Sequence, residues 1–208
     1  VIETLPEFVC NEILDEMETG WELALGLETS DDTIRRRFIN KSFEWDEYVR
    51  ACNMIRAHGL RVRTYLLLKP PFVSERRAIE DVKQSILDVS KYSDVISINL
   101  CNVQRGTLVE RMWRRREYRP PWLWSAVDVL ADMRDRINDG IILISDPVAA
   151  GSKRGPHNCG KCDLSVATAI RKFSITQSIA DLKVDCGCKD VWREILEIED
   201  FAFGAPLV

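Results

Sequence analysis

No stretch of the 208-residue chain approaches the ~20 consecutive apolar residues that a membrane-spanning helix needs, which argues against an integral membrane segment. No charged-then-apolar segment opens it, so nothing reads as a secretory signal. Internal repeats and low-complexity tracts are also lacking. Positive charge is not in excess: the net charge of −4 and pI of about 5.4 give no bulk attraction to nucleic acid. An initiator methionine is missing too. Val1-Ile2-Glu3-Thr4 reads as the end of a strand already under way, which predicts a chain that begins inside a larger protein.

What is present is ordinary in bulk, with 46% hydrophobic and 30% charged residues, and long enough for one domain plus a small appendage. Seven cysteines are an odd number. Paired cysteine spacings without signs of secretion favour metal over disulfides, with the cytoplasm as the expected compartment.

Strand-like and helix-like segments alternate along residues 1–145. Strands are expected at 1–4, 22–27, 60–68, 95–101 and 141–145, and helices at 6–19, 43–58 and 73–89 and from Pro120-Pro121 to about Ile137. Strands separated by helices of a dozen residues imply β/α crossovers and a parallel sheet. Gly151-Ser152-Lys153-Arg154-Gly155-Pro156 has the composition of a linker. The expected division is therefore 1–148, a β/α unit, and 149–208, a small metal-binding domain.

Cys159-Gly160-Lys161-Cys162 and Cys186-Gly187-Cys188 supply four soft ligands from two tight turns. The expected ion is zinc, with an iron–sulfur cluster the open alternative. Glycine within each pair is read as the residue that permits the turn. His157 flanks the site, and Cys10, Cys52 and Cys101 read as buried thiols. At the ends of strands, Gly26-Leu27-Glu28-Thr29-Ser30 offers either a ribose-binding carboxylate or an N-cap cluster, and Leu66-Leu67-Leu68-Lys69-Pro70-Pro71 places a lysine at an apolar mouth.

The order Ile2-Glu3-Thr4-Leu5-Pro6-Glu7, Gly26-Leu27-Glu28-Thr29, His58-Gly59-Leu60-Arg61-Val62 and Leu66-Leu67-Leu68-Lys69-Pro70-Pro71 resembles the latter strands of radical S-adenosylmethionine enzymes. The nearest subgroup comprises the elongator-catalytic-subunit and archaeal archaeosine-biosynthesis enzymes. The tail is similar to the archaeosine branch, in His157-Asn158-Cys159-Gly160-Lys161-Cys162-Asp163, Ile170-Arg171-Lys172-Phe173-Ser174 and Asp185-Cys186-Gly187-Cys188-Lys189. The family's C-x3-C-x2-C motif, which holds its [4Fe–4S] cluster, does not occur in this sequence.

The resemblance implies the second half of a partial, TIM-like parallel β/α barrel of an α/β enzyme, with S-adenosylmethionine and a [4Fe–4S] cluster belonging to the full-length protein. Glu28 would contact the ribose, with Thr29 and Ser30 beside it, and the backbone from Leu67 to Lys69 would line the adenosyl pocket. The implied reaction is radical cleavage of a lysine adduct on a deazaguanine base of tRNA, giving archaeosine's formamidine, with a lysine-transferring partner protein building the adduct. This chain alone is expected to be inactive and, with a barrel edge uncovered, to self-associate.

Residues 105–119 contain six arginines against two glutamates, interleaved with Trp113, Tyr118, Trp122 and Trp124 nearby. Arginine pairs with phosphate and aromatics stack on splayed bases, so Arg111, Arg114, Arg115 and Arg119 are candidate RNA ligands. The competing reading is an exposed helix face whose tryptophans are core. Two other functions stay open: a zinc-containing RNA-binding module without catalysis, and a radical enzyme acting on something other than tRNA.

Overall fold

The structure is a computed structural model, and it describes residues 21–202. The expected strand 1–4, the helix 6–19 and Cys10 lie outside the described residues.

Strand β1 (Glu22–Glu28) is followed by a helical turn (Asp32–Ile34) that widens into a π-helical one (Arg35–Ile39), then α1 (Trp45–Ala57). Next come β2 (Arg61–Leu68), α2 (Glu75–Val89), β3 (Val95–Leu100), α3 (Leu108–Arg114), α4 (Leu123–Arg134) and β4 (Ile142–Ser145). The tail holds α5 (Asp163–Thr176), a 3-10 turn (Ile179–Leu182), α6 (Cys188–Ile198) and a last 3-10 turn (Glu199–Ala202).

Local chemistry sets these boundaries. Asp31 accepts from the amides of Thr33 and Ile34, Ser74 from Arg77, and Thr107 from Glu110, each satisfying donors that a helix start leaves free. Glu44 and Glu47 close a capping box on α1, and Gly59, at φ +73°, ends it in the left-handed conformation. The helix expected from Pro120-Pro121 begins at Leu123, with Trp122 extended as its cap.

The four strands lie side by side in chain order, all parallel. The observed fold is thus α/β with a parallel sheet. Register aligns Leu25, Thr64, Ile96 and Leu143 across one face, and Gly26, Tyr65, Ser97 and Ile144 across the other. On the first face Leu25, Leu27, Val62, Leu66, Ile96, Ile98 and Leu143 join Tyr48 and Ile55 of α1, Ile79 and Ile86 of α2, and Leu123 and Leu130 of α4 in one core. Each such side chain contributes about 1.5–3 kcal/mol by leaving water.

The second face is open by comparison. Ala24 and Asn99 are exposed, and Gly26, Arg63, Tyr65, Leu67 and Ile144 are half-buried. One-sided helices are how a barrel wall is built, whereas an open doubly wound sheet carries helices on both faces. Among the described residues the sheet has four strands and does not close.

The tail packs onto this unit. Val166, Ile170 and Phe173 of α5 and Trp192 of α6 belong to the same core as the sheet, so residues on both sides of the expected 148/149 boundary share one interior.

Candidate metal centre and sheet edge

Two loops bring the four tail cysteines together, one entering α5 and the other entering α6. The sulfurs of Cys159 and Cys162 are 3.8 Å apart, Cys159 and Cys186 3.9 Å, and Cys162 and Cys188 3.6 Å. All four lie within 4.8 Å of one another. Bonds of ~2.3 Å to one tetrahedral ion place sulfurs about 3.8 Å apart, so the donor set fits a single metal ion.

Gly160 sits at φ +85°, where a side chain would be strained, as the tight turn demands. Gly187 does not follow that expectation. Its φ of −54° is right-handed and open to any residue, because the Cys186–Cys188 pair sits at the start of α6.

The surrounding groups hold the sulfurs in place. Asn158 Nδ2 donates to Cys162 Sγ at 3.4 Å, and the Trp124 indole N–H donates to Cys188 Sγ at 3.3 Å. Asp163 folds back to accept from the amides of Asn158 (2.7 Å) and Gly160 (3.1 Å), fixing the knuckle. The Lys161 amide, with that of Cys162, holds the Cys159 thiol down to about 7, whereas burial pushes Cys162 and Cys188 up. A bound cation would be needed to keep all four as thiolates in one place. His157 only flanks the cluster, its Nδ1 bonded to the Gly155 carbonyl at 2.8 Å. Cys52 and Cys101 are separately buried.

Because the strands are parallel, the ends of β1 and β2 share one edge, with Asn102 just past β3 on the same side. Glu28 leaves β1 at a bulge with φ 72°, and its carboxylate pairs with Lys41 at 2.7 Å. Thr29 is fully buried and donates to Asp81 at 2.7 Å, while the Ser30 hydroxyl donates to Asp88 at 2.7 Å. Both hydroxyls thus brace β1 against α2 rather than face the edge. Leu67 points to the open face, against the small cluster of Cys101, Val103, Met112 and Tyr118.

Lys69 turns inward. Its ammonium lies 2.7 Å from Glu75 and 3.0 Å from Glu199, and its carbonyl accepts from the Tyr118 hydroxyl at 2.9 Å. The Glu75 oxygen facing Lys69 meets it as an ion pair outside hydrogen-bond alignment. Glu75 also receives Ser125 and the Trp122 amide. Nothing in the sequence signalled Glu75, Glu199, Asp81, Trp124 or Asp163, since only the fold brings them to these partners.

In the basic stretch, Arg111, Arg114 and Arg115 are exposed. Arg119 is not. Its guanidinium donates to the carbonyls of Pro120 (2.9 Å) and His157 (2.7 Å) and lies 4.0 Å over the Trp122 ring. Trp122, Trp124 and Tyr118 are buried and Trp113 half-buried, so the aromatics are mostly interior.

Fold and site together define an α/β protein in which a parallel sheet carries a four-cysteine metal-type centre packed on its flank. The chain is 49% identical over 214 aligned residues to a protein named archaeosine synthase subunit beta from Methanosarcina acetivorans, over 100% of this chain and 62% of that protein. It is 45% identical over 206 residues to a protein of the same name from Thermococcus kodakarensis, over 95% of this chain and 63% of that one. The chain therefore spans less than two thirds of the length of these curated relatives.

A solved structure of Methanocaldococcus infernus Elp3 with an N-terminal deletion matches 73% of this chain and 35% of its own, with a TM-score of 0.56 and 19% identity, a likeness of fold. No family model matches. Among the described residues no helix is long and apolar enough to cross a membrane.

Proposed function

We propose that the chain is part of a radical S-adenosylmethionine iron–sulfur lyase of tRNA modification, which cleaves the C–N bond of a lysine adduct on the deazaguanine base to form archaeosine. The observation that carries this reading is the 49% identity to archaeosine synthase subunit beta along the whole chain. The motif order at the strand ends and the parallel, one-faced sheet support a partial barrel. A lysine-transferring subunit is the partner, tRNA the substrate, and the cytoplasm the compartment.

The cysteines present here do not fit a radical-generating [4Fe–4S] cluster. No three have the C-x3-C-x2-C spacing, and the four that converge are placed for one ion. No step is derived through that cluster. A multi-iron cluster puts its irons between the sulfurs and spreads them, so the close sulfur spacing favours zinc at Cys159, Cys162, Cys186 and Cys188. With four protein ligands, zinc would pin the two loops and hold α5 and α6 to the sheet.

For S-adenosylmethionine, Glu28 and the backbone from Leu67 to Lys69 are the groups left at the edge, Glu28 orienting the ribose once it exchanges Lys41 for a hydroxyl. Thr29 and Ser30 act behind it as braces.

The test is turnover by the full-length protein with its partner, on tRNA bearing the lysine adduct, with S-adenosylmethionine and a reductant. Nucleoside mass spectrometry should detect the formamidine product. tRNA retained without turnover would instead support a zinc-containing RNA-binding module, a reading favoured by the four-cysteine centre being the one metal-type cluster among the described residues.

A further inference from the structure

A cavity of 710 Å³ opens between the end of α3 and the loops that carry Pro120 and His157. Arg114, Arg116, Arg119 and Lys153 line it, with no carboxylate among the lining residues. Their availability differs. Arg119 is fixed to backbone carbonyls and forms part of the floor. Arg114 is tied to Glu110 at 3.1 Å. Arg116 and Lys153 are exposed and make no ion pair among the described residues. Arg116 also stands at φ +59°, a left-handed backbone that a non-glycine residue adopts at an energetic cost.

The remaining wall is flat and apolar. Trp113 is half-buried, supported from behind by Met112 and Tyr118 and with Arg154 5.1 Å from its ring. A bare polyphosphate would leave this aromatic wall unused, and an apolar ligand would leave the cations without counter-charge. A nucleotide meets both demands, with phosphate for the cations and a base for the indole face.

The location fits the same ligand. Tyr118, which lines the cavity, bonds the Lys69 carbonyl at the sheet edge, and Arg119 bonds the His157 carbonyl two residues before Cys159. The cavity thus adjoins both the strand ends and the metal centre.

We propose that this cavity binds one splayed nucleotide of a single-stranded RNA segment, its phosphate on Arg116 and Lys153 and its base stacked on Trp113. The polymer's identity as tRNA rests on the functional reading above.

The test uses the full-length protein and a fluorescein-labelled RNA pentamer, followed by anisotropy over a salt series. Arg116→Ala/Lys153→Ala should weaken binding and flatten the salt slope by about 1.4, from ~0.7 per single-strand phosphate contact. Trp113→Leu should weaken binding about tenfold with the slope unchanged, and Trp113→Phe should regain most of the loss. Equal affinity and slope in the double variant would overturn the proposal, as would a pentamer that wild type does not bind. So would displacement of the pentamer by tripolyphosphate as readily as by unlabelled RNA. The double variant changes exposed side chains only, so it decides even if Trp113→Leu fails to fold. A parallel titration with a tRNA transcript separates the two ideas. A pentamer bound through this cavity with no preference for tRNA removes the tRNA reading alone, and a transcript bound equally by wild type and double variant removes the cavity alone.

Discussion

The Lys69 ammonium stands 3.0 Å from a Glu199 carboxylate oxygen, although 130 residues separate the two. Both side chains are almost wholly buried, and Glu75 completes the group at 2.7 Å. One cation between two carboxylates makes the consequences of removal unequal. Lys69→Met leaves two facing buried carboxylates and should cost about 3–5 kcal/mol, the range for an uncompensated buried charge. Glu199→Gln leaves Lys69 paired with Glu75 and should cost about 1 kcal/mol, since a hydrogen bond is weakened rather than a charge stranded. Urea unfolding of the two variants compares them directly, and equal losses would sink the account.

Asp81 gives the fold a pH dependence of its own. Burial raises its pKa to about 6 from an ordinary value of 3.8, despite the Thr29 hydroxyl it accepts. Between pH 4 and 6 the folded state therefore binds more protons than the unfolded one, so this group's contribution falls as pH rises through that window. The span is at most about 3 kcal/mol. Asp81→Asn should abolish that part of the slope, read from melting temperatures at pH 4.5, 5.5 and 7.

The metal centre should hold one zinc per chain by elemental analysis. Cys162→Ser should lose it and lower the melting temperature steeply, because zinc bound by structural sites contributes folding free energy outright. A coloured, iron-containing protein would assign the site to iron instead.

Glu28 and Thr29 are neighbours with different predicted phenotypes. In the full-length protein Glu28→Gln should weaken S-adenosylmethionine binding about tenfold with little change in melting temperature. Thr29→Val should do the reverse, removing the donor to Asp81 and destabilising the protein by about 1–3 kcal/mol while binding is kept. Calorimetric titration beside thermal melts reads both, and a binding defect in Thr29→Val alone would reverse the roles.

Much of this architecture was legible because its signals are local. Alternating apolar runs and caps such as Ser74 and Asp31 announce strands and helix starts within a few residues, and the cysteine pairs announce a ligand set by spacing alone. Arg119 was not legible. In sequence it is one of six similar arginines, and only the approach of the His157 carbonyl, 38 residues later, converts it from a surface charge to a brace. Gly187 misled for the complementary reason, because glycine between cysteines suggests a left-handed turn until the start of α6 supplies a right-handed one. Glu75 carried no signal at all, its role being set by Lys69, Ser125 and Glu199, which meet only in the folded chain.

The covering of the sheet on one face implies an uneven record of tolerated change. A saturation scan of protein abundance across β1, β2 and β3 should alternate residue by residue. Leu25, Val62, Leu66, Ile96 and Ile98 should accept almost nothing, whereas Ala24, Arg63 and Asn99 should accept much. Variation on that permissive stripe can alter what the concave side touches while expression stays level, so related chains could diverge in ligand and still share one scaffold.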